Sequence, residues 1–178
     1  MDLIRKAFTP GEFKLDGAGA VTVAFAQLDV VDLDKDVSLP GSFPSGKSVP
    51  MSAYGHTSWD GQLPIGKGSI REDGKWAIFD GQFLMTTEQG KNAYETVKAM
   101  GELQEWSYGL NAFDTSYGQK DGQNVRFIRG QDVKEISPVL AGAGIATHTM
   151  GIKSGTSGSD LSYTEHLALG LRVVKSLA

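Results

Sequence analysis

Between residues 20 and 26 the side chains alternate. Val21, Val23 and Phe25 fall on one face and Ala20, Thr22 and Ala24 on the other, the period of a half-buried strand. Residues 64–71 and 75–84 continue as two strands, and Glu72-Asp73-Gly74 between them signals a hairpin. The period then changes. Ala93, Val97 and Met100 recur at helical spacing behind Thr86 and Gln89, which match a capping box, and Gly101 is a C-terminal stop. This pattern predicts a helix over residues 87–100. Alternation returns over 105–113, where Trp106, Tyr108 and Leu110 interleave with Ser107, Gly109 and Asn111. Residues 115–124, with Asp121-Gly122, read as a polar turn, and 125–129 and 133–139 as further strands. Residues 29–36 read as an acidic bend.

Strands joined by hairpins around one helix predict a mainly β chain with helices (α+β), built as a small, largely antiparallel β-barrel with an embedded helix. The expected body covers residues 1–152, followed by a flexible linker at 153–159 (Lys-Ser-Gly-Thr-Ser-Gly-Ser). Residues 160–178 read as a C-terminal helix with Leu161, Leu167, Leu171 and Val174 on one side, weakened by Gly170. Such a helix docks either on the body or on a partner chain, so a homo-oligomer is one expected arrangement.

Composition narrows the function classes. With 178 residues, 40% hydrophobic and 21% charged, the chain has the make-up of one globular domain. A net charge of −4 without any Lys/Arg block argues against a nucleic-acid partner. No run approaches the roughly 18 apolar residues of a membrane span, and residues 1–10 lack the apolar core of a signal peptide. A soluble protein of the cytosol, or of something assembled there, is expected. The absence of cysteine removes disulfides, a cysteine nucleophile and thiolate metal sites. Asp32, Asp34 and Asp36 imitate the start of a calcium loop, but Val37 stands where glycine is required and Phe43 where a bidentate Glu is required. His56, His148 and His166 lack close metal-ligand spacing, so neither metal nor cofactor is expected.

Three residues carry candidate chemistry. His56, in Tyr-Gly-His-Thr, follows an extended segment among small and polar neighbours and suits a general base. Ser107 lies opposite the face of Trp106 and Tyr108, and Gly109 two residues on leaves that face open to a substrate. Glu135, expected to share a face with Val133, Ser137 and Val139, could orient a histidine, with Asp132 and His148 as competitors for that role. Each also has an ordinary reading: a surface histidine, a solvent-facing serine, or an edge carboxylate paired with Lys134 or Arg126.

In order along the chain, these segments resemble the prohead (capsid maturation) proteases of tailed phages. The acidic stretch from Asp34 into Pro40-Gly41-Ser42-Phe43, then Val49-Pro50 with His56, then Pro64-Ile65-Gly66 are similar to successive segments of that family. Asp73-Gly74-Lys75-Trp76 resembles its hairpin turn, Trp106-Ser107-Tyr108-Gly109-Leu110 its Ser-x-Gly nucleophile strand, and Glu135-Ile136-Ser137 its Glu-Val-Ser segment. The resemblance spans residues 29–149.

It implies a fold like the herpesvirus assembly proteases, a β-barrel decorated by helices, and a serine endopeptidase without cofactor. Ser107 would be the nucleophile, His56 the base and then the acid, and Glu135 the orienting group. The herpesvirus relatives use a second histidine as third member, which keeps His148 as the alternative. Where many family members carry Pro-Ala-Asn, this chain has Leu140-Ala141-Gly142-Ala143-Gly144 with no arginine, so backbone N–H groups of Gly142, Ala143 and Gly144 are expected to hold the oxyanion. By the same resemblance the substrate is scaffold, or the scaffold-like part of the major capsid protein, inside a viral procapsid in the host cytoplasm. Self-cleavage is expected in 153–159. The competing reading is a non-catalytic, protease-like scaffold or binding component of the procapsid. A third, an unrelated small-ligand barrel, requires a closed apolar cavity.

Overall fold

The computed structural model describes residues 18–153. The chain forms β1 (Ala20–Gln27), β2 (Asp36–Ser38), β3 (Ser48–Met51), β4 (Gly66–Asp73) and β5 (Trp76–Phe83). Helix α1 (Glu88–Met100), β6 (Glu105–Lys120), β7 (Gln123–Val139) and β8 (His148–Ile152) follow. Short 3₁₀ segments sit at Tyr54–Asp60 and Gly101–Leu103. The expected helix over 160–178, and all of the expected linker except Lys153, lie outside the described residues.

Local chemistry explains most of these elements. Gly74 and Lys75 turn the β4–β5 hairpin, with Asp73 facing Trp76 and Gly74 at φ 59, a value glycine adopts freely. Helix α1 begins one residue later than the capping-box pattern places it. Thr87 is the cap, its hydroxyl accepting from the Gly90 N–H at 3.1 Å. Tyr94 and Val97 are the buried side of α1, and the Tyr94 ring meets Phe83 edge-on at 5.8 Å.

The largest departure concerns β6 and β7. Residues 115–124 are not a turn: β6 runs to Lys120, β7 starts at Gln123, and only Asp121 and Gly122 turn, at φ 51 and 75. Two positive φ values match a tight turn that follows strand twist. Periodicity misleads here because residues 115–120 carry no alternating apolar side chains: Tyr117, the one large ring among them, is 83% exposed. Cross-strand pairs hold this end of the ribbon, the Arg129 guanidinium meeting Asp114 at 3.1 Å and Ser116 at 2.8 Å. The end of the supposed acidic bend is also a strand: β2 pairs in parallel with Arg126, Phe127 and Ile128 of β7, and Asp36 forms an ion pair with Arg126.

Hydrogen-bonded strands run in the order β2-β7-β3-β4-β5-β1-β8, with β6 added on β7. Among the described residues no pairing joins β6 to β1 or β8, so the sheet is open and the expected barrel is not formed. The reason lies at the gap. The Trp106 N–H, which a neighbouring strand would accept, donates instead to Thr147 Oγ1 at 3.0 Å, and the Trp106 indole donates to Thr149 Oγ1 at 3.0 Å. Side-chain hydroxyls and the Phe25–Tyr108 ring contact at 5.2 Å replace a strand ladder. Pairing is largely antiparallel as expected, with β2 and β3 parallel to β7.

The core gathers Phe25, Phe43 and Tyr108, whose rings meet edge-to-face at 5.2–5.5 Å. Burial pushes the Tyr108 hydroxyl up to about 12, and its oxygen sits 3.4 Å from Ser38 Oγ. Gly68 and Gly81 face each other across β4 and β5 under the Phe79 ring. A Cβ on Gly68 would lie 2.2 Å from the Asp80 carbonyl oxygen and 2.7 Å from that ring. Gly68→Ala is therefore expected to destabilise the fold by about 1–3 kcal/mol, a cost typical of overpacking. Urea unfolding checks this, and an unchanged midpoint would contradict the packing described.

Candidate active site

Alternation on β6 orients the serine. Trp106 is fully buried and Tyr108 joins the aromatic cluster, so Ser107 and Gly109 share the opposite, half-buried face. Opposite them on β7 stand Ser137, facing Ser107, and Glu135, facing Gly109. Strict alternation would put Glu135 on the face of Val133, but Val133 belongs to the core. The register skips Lys134, pairing Gly109 with Glu135 and Leu110 with Val133. This bulge turns Glu135 to the Ser107 face while Ile136 and Val133 stay inside.

His56 arrives from the 3₁₀ segment after β3. Met51 pairs with Ile136, and the Ser52 N–H continues the ladder to the Ile136 carbonyl at 2.8 Å. Gly55 and His56 then adopt left-handed backbone at φ 70 and 63, a strained choice for histidine. Hydrogen bonds to β7 over-determine that shape. The His56 N–H donates to Ser137 Oγ at 2.9 Å, and the Tyr54 hydroxyl donates to the Val139 carbonyl at 3.0 Å. The Ser137 hydroxyl has the Ala53 and Pro138 carbonyls as acceptors at 3.1 and 3.0 Å.

The imidazole is thereby laid on Glu135, with His56 Nδ1 and Glu135 Oε1 2.7 Å apart. Glu135 is 4% exposed, and His56 about a third exposed at its side chain. Against an ionised carboxylate, which only accepts, Nδ1 would be the donor of this bond and Nε2 would keep its lone pair. Glu135 Oε2 is buried without a hydrogen-bond partner among the described residues, which leaves His56 as the partner of this carboxylate.

Gly109 has a different use from the one its spacing suggests. A Cβ there would lie 2.6 Å from Glu135 Oε1 and 3.4 Å from Trp59 Cζ2. The missing side chain makes room for the chain's own carboxylate and the Trp59 ring, not for a substrate.

The remaining candidates are placed elsewhere. His148 lies on β8 beside Ala24, with Nδ1 2.8 Å from the Ala146 carbonyl and its ring edge-on to Trp76. Asp132 bridges Lys47 and Lys134, whose hydrogen bonds, Lys134 first, hold its carboxyl below the usual range. In the glycine loop the Gly142 N–H donates to Glu105 Oε2 at 2.8 Å, and the Ala143 carbonyl accepts from the Leu33 N–H at 3.0 Å. Gly142 packs against β6 so closely that a Cβ would meet the Trp106 carbonyl oxygen at 2.7 Å. The loop is thus seated two residues ahead of Ser107, with one of its three expected donors already engaged.

Reading the residues singly overlooks Ser137, Glu105 and Trp59 as supports. Ser137 had a signal, standing two residues from Glu135 in the segment Glu-Ile-Ser. Glu105 and Trp59 had none, since their partners are remote in sequence. Gly109→Ala is expected to displace Glu135 from His56 and so remove the downfield Nδ1–H resonance of wild type from the proton NMR spectrum. Retention of that resonance in the folded variant would contradict the crowding described.

A family model for the caudovirus prohead serine protease matches residues 35–158. No curated protein and no solved structure matches the chain. The matched span covers more than half the sequence and includes His56, Ser107 and Glu135, and on this ground the chain belongs to the caudovirus prohead serine protease family.

Proposed function

We propose that this protein is a serine endopeptidase in which Ser107 is the nucleophile, His56 the general base and Glu135 the group that orients His56. The observation carrying this reading is the 2.7 Å His56–Glu135 hydrogen bond on the face that Ser107 shares. Ser107 and Glu135 are diagonal neighbours on adjacent strands, a relation that sets side chains about 7–8 Å apart. An imidazole hydrogen-bonded at both nitrogens spans about that distance, so His56, held to Glu135 through Nδ1, would reach Ser107 through Nε2.

As Ser107 Oγ bonds to the scissile carbonyl carbon, its proton passes to His56 Nε2 and the carbonyl π pair moves onto oxygen. Collapse of that oxyanion breaks the C–N bond, and the departing amine takes the proton from His56. Water then repeats the sequence to free Ser107. Glu135 holds the tautomer and stabilises the imidazolium as it forms. The seated loop supplies the oxyanion contacts from Ala143 and Gly144, since the Gly142 N–H is engaged; losing one such donor costs about 2.7–4 kcal/mol of barrier. Glu135 is preferred to His148 and Asp132 as third member because it contacts His56, whereas theirs are other partners.

Family membership supports capsid or scaffold protein as the polypeptide cleaved, within the procapsid. The fluorophosphonate reaction tests the chemistry. Labelling is expected at Ser107, absent in His56→Ala and slowed by about 10⁴-fold in Glu135→Gln, whose amide favours the wrong tautomer. Should protein within procapsids also stay unlabelled, the non-catalytic reading replaces this one. Cleavage of the chain's own residues 153–159 is part of the proposal. Mass spectrometry should find Ser107→Ala protein at full mass where wild type shortens, and equal shortening of both would exclude self-processing.

A further inference from the structure

A groove of about 640 Å³ opens beside the His56 segment. Ala53, Tyr54 and Thr57 form one wall, and Ala93, Thr96 and Met100 of α1 form the other. Ile65 also lines it, as does Leu140, which is 81% exposed. No charged residue lines this space, although 21% of the chain is charged. Its size falls in the range of about 300–1,000 Å³ usual for ligand sites.

The groove is lined by chain neighbours of the proposed site. Thr57 directly follows His56, and Leu140 directly follows Val139, the β7 partner of Glu105. Glu105 stands two residues before Ser107, about 7 Å along a strand. On the opposite side of Ser107, the space over Gly109 is filled by Glu135 and Trp59. A polypeptide lying over Ser107 therefore meets side-chain room toward α1 and a filled surface in the other direction.

We infer that this groove is a specificity subsite that takes a large uncharged, apolar side chain of the polypeptide substrate, within about two residues of the scissile bond. The inference rests on the endopeptidase reading for its placement relative to the cut. The absence of charge in the walls sets the preference: Lys, Arg, Asp or Glu entering it would lose hydration without gaining an opposite charge. Leu140, Met100 and Ile65 offer apolar contact, and the polar groups that line the groove are uncharged: Gln62 beside Tyr54 and Thr57, and Gln89, Asn92 and Thr96 on α1.

Two measurements on the full chain test it. In the first, Ser107→Ala protein is titrated with peptides differing only in Leu or Glu at successive positions and followed by NMR. A Leu peptide is expected to shift the resonances of Ala93, Thr96 and Met100, and its Glu counterpart is not. In the second, wild type, Ala93→Glu and Thr96→Lys are compared by kcat/KM on peptides carrying Leu, Lys or Glu at the preferred position. The Leu:Lys ratio is expected to fall by about tenfold or more in Ala93→Glu, and the Leu:Glu ratio likewise in Thr96→Lys. These ratios do not depend on how much of either variant is active. Thr96 is exposed on α1, so its substitution guards against misfolding at Ala93.

The outcomes separate the two readings. Reactive Ser107 with no Leu-dependent shifts, or with unchanged ratios in Thr96→Lys, overturns the subsite and leaves the endopeptidase standing. Leu-dependent shifts with an unreactive Ser107 support an apolar peptide groove and remove the catalysis. Shifts confined to surfaces outside the groove overturn the subsite in either case.

Discussion

The pairing of β6 with β7 is the constraint on which everything else rests. It sets Ser107 opposite Ser137 and Gly109 opposite Glu135, while β7 also receives β2 and β3 on its other edge. A slip of one residue would send Ser107 into the core and bring Trp106 out. The bulge at Lys134, one of three register shifts in this pair, matters as much as the pairing, because it lets Val133 and Ile136 both remain inside while Glu135 shares the face of the serine. The same strand then positions the histidine. Ser137 and Val139 hold His56 and Tyr54 by hydrogen bonds, so Ser107, Glu135 and the His56 segment all take their coordinates from one strand pair.

That arrangement costs stability locally. A carboxylate is buried with one oxygen unpartnered among the described residues, and histidine is kept in a left-handed conformation. Such features survive only where surrounding contacts over-determine them. Here the contacts are specific: the Ser137 hydroxyl, the Tyr54 hydroxyl, and the glycine at position 109 that admits the Glu135 carboxylate. On the far side of Ser107, Glu105 ties the Gly142 loop to the start of β6. The glycines and serines near the site thus serve close approach between segments more than flexibility.

Sequence pattern recovers those parts of the molecule whose determinants are local. β1, the β4–β5 hairpin and α1 carry their own periodicity, turn or cap, and each forms within a residue or two of the expected place. β2 was hidden because its partner Arg126 lies 90 residues away and its stretch is acidic. The outer half of β6 read as a turn because residues 115–120 are polar or small apart from the exposed Tyr117, although Val125 and Ile128 opposite them are buried. The barrel expectation failed at a gap closed by Thr147 and Thr149 side chains, which no strand pattern encodes. For the site, residue order along the chain pointed to His56, Ser107 and Glu135, whereas the reason for Gly109 and the engagement of Gly142 required the fold.

The central claim is that one strand pair places Ser107 under a histidine already oriented by Glu135. Its most direct test is the crystal structure of the protein inactivated by a peptidyl phosphonate. The account predicts phosphorus bonded to Ser107 Oγ, His56 Nε2 within hydrogen-bond reach of that oxygen, and Nδ1 still on Glu135. An adduct on another residue, or a His56 ring that leaves Glu135 and does not face Ser107, would contradict it.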